Sequence, residues 1–131
     1  MTKRAPILEF DVDRTSILMP DPFRIGVGQL VPARGVLCFF QDVLNALLEK
    51  GELTHIGDLK SEMGMHPVHT YKFEGKSVTV FHPGLGAPLA AAFLEELIAC
   101  GVTKYIVCGG CGVLNREIMA GHPVILTSAV R

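Results

Sequence analysis

Val78-Thr79-Val80-Phe81-His82-Pro83-Gly84-Leu85-Gly86-Ala87-Pro88 changes character twice within one short run. Its first four residues are β-branched or aromatic, as a strand prefers, and the next five hold two glycines and a proline. Beyond Pro88, Leu89, Ala92, Phe93, Leu97 and Ile98 recur at helical spacing and stop at Gly101. Strand, glycine loop and helix therefore follow one another, and Pro88 suits the first turn, where its missing N–H costs nothing. Tyr105-Ile106-Val107-Cys108 comes next as a short apolar run, the pattern of a strand buried on both faces of a parallel sheet. Together they predict a βαβ unit in which Tyr105 to Cys108 runs parallel to Val78 to Phe81, joined by a right-handed crossover through the helix.

Working outward, Val68 to Phe73 and Ser77 to Phe81 flank Glu74-Gly75-Lys76 and predict a hairpin. Val36-Leu37-Cys38-Phe39 predicts a further strand, and Phe40, Val43, Leu44, Leu47 and Leu48 a helix from about Phe40 to Glu49. Lys50 suits the negative end of that helix, and Gly51 its left-handed stop. Residues 1 to 30 hold Pro6, Pro20 and Pro22 and predict an extended entry with one short strand, Thr15 to Met19. Downstream, Gly109-Gly110-Cys111-Gly112 leads past Asn115-Arg116-Glu117 to a last apolar run, Val124 to Thr127, expected to be an interior strand. A chain ending four residues after such a strand suggests the N-terminal portion of a longer domain.

The whole is 131 residues, 49% hydrophobic and 19% charged, enough for one domain with a real core and against intrinsic disorder. Twelve Lys and Arg against thirteen Asp and Glu, with no basic run, argue against nucleic-acid binding. Apolar stretches are short and interrupted, so neither a membrane span nor a signal peptide is expected. The four cysteines Cys38, Cys100, Cys108 and Cys111 lie in or beside apolar segments without disulfide-scaffold spacing, which points to a reducing, cytoplasmic setting.

Gly84-x-Gly86 between a strand and a helix lets backbone N–H groups approach an anion where the helix dipole favours negative charge. Phosphate is the natural anion, although the pattern alone reads equally as a structural turn. It carries neither the third glycine of a dinucleotide fingerprint nor the Gly-Lys-Ser/Thr of a P-loop. Cys108-Gly109-Gly110-Cys111 matches C-x-x-C, yet no long helix opens there as in a redox dithiol, and no second ligand pair exists for zinc, so a structural glycine turn is expected and no metal. His66, His69 and His82 flank the hairpin, with His82 placed to set an imidazole near a bound anion. His55 and His122 are read as structural, and Arg24 either as a phosphate fork or as a surface arginine.

Taken together, Val78 to Pro88 with its helix and Tyr105-Ile106-Val107-Cys108-Gly109-Gly110-Cys111-Gly112-Val113-Leu114 resemble the paired glycine loops of the nucleoside phosphorylase superfamily, the purine nucleoside and uridine phosphorylase group. Ser61-Glu62-Met63-Gly64 and Met19-Pro20-Asp21-Pro22-Phe23-Arg24 are similar to further family segments. The resemblance implies a three-layer α/β/α sandwich around a mixed sheet, and phosphorolysis of a nucleoside's N-glycosidic bond to base and pentose 1-phosphate. It implies phosphate as co-substrate, no metal or organic cofactor, and a homo-oligomer. Gly84, Leu85 and Gly86 would line the phosphate and ribose side, Gly109 and Gly110 the floor, and Arg24 would be a phosphate ligand. Two positions depart from the hexameric type: where it places an arginine and a hydroxyl residue, this chain has Val107 and Gly110. The glycine that commonly precedes Asp-Pro is also missing, because Pro20 runs straight into Asp21. The acidic ligands of base and ribose belong to the family's C-terminal half, beyond Arg131. The alternative is a non-catalytic, oligomerising α/β module that keeps the scaffold without the chemistry.

Overall fold

A computed structural model describes Asp13, Thr15 and residues 17–21, 26–27 and 31–129. Its elements are β1 (Arg34–Cys38), α1 (Gln41–Glu49), β2 (Leu53–Ser61), β3 (Gly64–Phe73), β4 (Lys76–Phe81), α2 (Ala87–Ala99) and β5 (Lys104–Cys108). They form one mixed five-stranded sheet in the order β2-β3-β4-β1-β5. β1 lies parallel to both β4 and β5, so β4 and β5 are parallel to each other with β1 between them.

Strand alternation places the two helices on opposite faces. Leu37 of β1 and Phe81 of β4 pack with Phe93 and Leu97 of α2, whereas their neighbours Cys38 and Val80 pack with Leu44 of α1. Three layers result, as the resemblance implied. Phe93 and Leu97 are almost fully buried, and each is worth about 1.5–3 kcal/mol of hydrophobic transfer. Both helices stop through the same device. Gly51 and Gly101 take positive φ, and the amides of Gly51 and Glu52, like those of Gly101 and Val102, return to carbonyls of the last turn at 2.9–3.0 Å.

The predicted hairpin is present, turned by Glu74 and Gly75, both at positive φ, which suits a two-residue connection between twisted strands. It begins earlier than expected, at Gly64, because β3 also pairs along its length with β2, a strand the sequence did not announce. β2 bends at a register shift between His55 and Gly57, and there Gly26 bridges to Asp58. Gly57 has no room for a Cβ, which would run into the backbone of Gly26 and Val27.

Three expectations are corrected. Among the described residues of Thr15 to Met19 there is no strand. Tyr105 to Cys108 is not buried on both faces. Tyr105, Ile106 and Val107 are 48%, 66% and 55% exposed, and among the described residues β5 pairs on one side only. Val124 to Thr127 is likewise no strand but exposed, irregular chain, because its apolar residues find no pairing partner there.

Candidate functional site

β1 and β4 are neighbouring parallel strands whose chains leave into helices on opposite faces. At such a point the two connections part and a crevice opens beyond the carboxyl ends of the strands. Three segments meet there: Phe39-Phe40 after β1, His82 to Gly86 after β4, and Gly109 to Gly112 after β5. The Phe39 amide donates to the Cys108 carbonyl at 2.9 Å, and the Phe39 ring meets His82 edge-on with centroids 5.8 Å apart. A Cβ on Gly109 would stand 3.3 Å from the Phe39 ring, and one on Gly110 would touch Phe40 at 3.6 Å. Phe39 and Phe40 thus join the two glycine loops. An aromatic pair between a strand and a helix was their only signal in the sequence.

The first loop is fixed by its backbone. Gly84 and Gly86 have φ of 75° and 89°, values that L side chains rarely adopt. A Cβ at Gly84 would collide with Leu89, whereas one at Gly86 would enter open space with nothing nearer than Pro88 at 3.9 Å. Gly86 caps α2 without a side chain, its carbonyl accepting from the Ala90 amide at 3.1 Å. The first turn carries no acidic residue, and helix geometry leaves the amides of Ala87 and Leu89 without intrahelical acceptors. Leu85 stands 83% exposed at the tip. Open space over a glycine and an uncapped helix start suit a small anion.

His82 is tied into the same loop: the Gly84 amide donates to its Nδ1 at 3.0 Å, so a neutral ring carries its proton on Nε2. His82 also lines a cavity of about 200 Å3 with Leu44, Leu48, Met65, His66, Pro67 and His69. His69 is 95% buried by its 5% exposure, its Nδ1 has no partner, and burial first, then the neighbouring His55, holds its pKa below the ordinary imidazole range. His66 instead turns to Ser61, at 2.8 Å, and to the Phe93 ring. All three histidines thus border the same cavity, each in a different hydrogen-bond environment. His55, paired with Asp58 at 3.2 Å, and exposed His122 lie outside the crevice. A larger hollow of about 290 Å3, bounded by Asp58, Lys60 and Glu96, takes no residue from the three segments.

The remaining sequence candidates divide plainly. Arg24 lies outside the described residues. Cys108 is half-buried and Cys111 exposed, both as free thiols, and no group of three or more metal-ligating side chains occurs among the described residues. Val107 is more than half exposed on the last full turn of β5 pleat before the second loop.

Fold and crevice together define an α/β protein with a glycine-lined crevice at the carboxyl edge of a mixed sheet. The chain belongs to the phosphorylase superfamily, whose family model matches residues 33–131. Arg24 falls outside that match. A uridine phosphorylase of Thermococcus kodakarensis is 30% identical over 105 residues, 73% of this chain and 38% of that protein. A guanosine phosphorylase of Halorubrum lacusprofundi is 28% identical over 89 residues, 63% of this chain and 37% of that protein. The crystal structure of a Vibrio fischeri uridine phosphorylase shares the fold with a TM-score of 0.56 at 23% identity, over 79% of this chain and 42% of that one. The chain thus spans about two-fifths of the length of these relatives. No helix among the described residues is long and apolar enough to cross a membrane.

Proposed function

We propose that the crevice is the phosphate and pentose side of a site for nucleoside phosphorolysis, with phosphate as co-substrate and no metal or organic cofactor. In that reaction a phosphate oxygen attacks C1′ of the nucleoside, the C1′–N bond breaks, and the base leaves with the bonding pair and takes a proton from solvent. The amides of the first loop and the positive end of α2 would hold the phosphate beneath the sugar. Their fixed dipoles favour the nucleophile and the oxocarbenium-like transition state alike. Leu85 would lie against the pentose, and Gly109 and Gly110 would form the floor. The observation that carries the reading is the open space at Gly86, at positive φ on an uncapped helix start, in a chain of the phosphorylase superfamily.

The direct test is binding of ribose 1-phosphate, the product that unites both ligands of this half-site. It is expected to bind more tightly than phosphate, while a free base alone adds nothing. Equal affinity for phosphate and ribose 1-phosphate would remove the pentose from the proposal. Cellular placement in the cytoplasm and assembly into a homo-oligomer accompany the reading. A second reading, a scaffold that oligomerises without chemistry, is favoured by Val107 and Gly110, which supply neither charge nor hydroxyl, and by the exposed apolar side chains of β5. Sedimentation at micromolar concentration tests association, which a clean monomer would contradict.

A further inference from the structure

One amide of the proposed cradle is already engaged from within. The Gly84 N–H donates to Nδ1 of His82, so in the neutral state it points at an imidazole instead of at a ligand. A protonated imidazole carries hydrogen on both nitrogens and cannot accept that bond. Protonation therefore frees the Gly84 amide and places a positive charge at the mouth of α2 in one step. We infer that His82 is a proton-operated latch on the glycine loop, so that this chain binds its anion together with a proton.

The inference rests on the anion reading of the loop and goes beyond it, for it supplies a charge where Val107 supplies none. The surroundings of His82 leave it as the group in the crevice that can gain charge beside Gly84. From β3 it faces buried His69, whose pKa burial lowers and which therefore gains its proton only at lower pH, and His66, which is hydrogen-bonded with Ser61. The segment after β1 brings the Phe39 ring, and α1 brings Gln41, Leu44 and Leu48, while its exposed Asp42 does not line the cavity. α2 opens with no acidic residue. No carboxylate, lysine or arginine lines the His82 cavity among the described residues, and His66 and His69 are the other groups there that can gain charge, so His66→Gln and His69→Gln serve as controls that should keep the pH slope.

Sulfate is the probe of choice because it keeps its charge throughout the pH 5.5–8 span in which imidazoles titrate, about the physiological switching range. Its affinity, followed by backbone amide NMR of Leu85 to Ala87, is expected to rise about tenfold as pH falls across that span. By linkage, uptake of sulfate at fixed pH is expected to be accompanied by uptake of a proton, read as a change in binding enthalpy between buffers of different ionisation enthalpy. In His82→Asn the side-chain oxygen sits where Nδ1 sits and accepts the Gly84 amide at every pH. That variant is expected to bind weakly with no pH dependence. His82→Ala leaves the amide open without adding charge, and intermediate, pH-independent affinity is expected. Sulfate binding that is flat with pH in the wild type, or a slope retained in His82→Asn, overturns the latch while leaving the cradle standing. Absence of sulfate binding at every pH in all three proteins overturns both.

Discussion

The two glycine loops look alike in sequence and are built on different grounds. In the first, Gly84 and Gly86 are required by backbone geometry, with φ near +80°, and Gly84 also by the side chain of Leu89. In the second, Gly109, Gly110 and Gly112 lie outside the positive-φ region. A Cβ at Gly109 would press against the Phe39 ring at 3.3 Å, and one at Gly112 would meet nothing within 4 Å. One loop is therefore a rigid device made by its own chain. The other takes its shape from the aromatic pair behind it, so in the proposed site the first loop would be the principal anion holder.

Stability separates the loops most strongly. Gly84→Ala combines a disfavoured φ with a collision against a core-packed leucine and is expected to cost about 2–4 kcal/mol in urea unfolding. Gly112→Ala should stay within about 0.5 kcal/mol. Comparable losses at the two positions would erase the distinction. Ligand binding sharpens it next. Val107 is exposed enough for Val107→Arg to fold, and if the second loop faces the same anion, phosphate affinity should rise roughly tenfold through one charge-assisted bond. An unchanged affinity would place the second loop outside the anion's reach.

A smaller effect concerns acid. His69 lies on the α1 face of the sheet, in register with Val80, and its folded-state pKa is lowered by burial, then by His55. The unfolded chain therefore takes up the proton first. Stability is full above the ordinary imidazole pKa of about 6.5 and is lost progressively as pH falls through the lower folded value. Urea midpoints at pH 7.5 and 5.5 should differ in that direction, and His69→Phe should reduce the difference. An equal slope in that variant would assign the acid response to another group.

What could be read from the sequence follows the same division. α1, α2 and the β3–β4 hairpin were legible because Gly51, Gly101 and Glu74-Gly75 mark their ends through local backbone chemistry. The first loop was legible for the same reason. β2 was not, since Leu53–Ser61 alternates poorly, with only Leu53 and Leu59 buried, and it is held by pairing with β3 and by the bulge at Gly57. Nor does local pattern carry the insertion of β1 between β4 and β5, because that register joins residues more than forty positions apart. Ile106 and Val107 read as core, and their exposure comes from what lies beside β5, which periodicity does not encode. Phe39 and Phe40 escaped the sequence reading of the site because an aromatic pair after a strand reads as core until the glycines opposite them are seen.

Phosphate titration followed by backbone amide NMR tests the central claim most directly. The amides of Leu85 to Ala87 are expected to shift with roughly millimolar affinity, weak because Val107 provides no charged partner, and those of Gly109 to Gly112 to follow at the same midpoint. In Gly86→Val a branched side chain fills the open space over the loop and strains its positive φ, and these shifts should vanish while the rest of the spectrum stays folded. No shift at either loop up to tens of millimolar phosphate, or equal shifts in Gly86→Val, would contradict the account and leave both loops as structural turns.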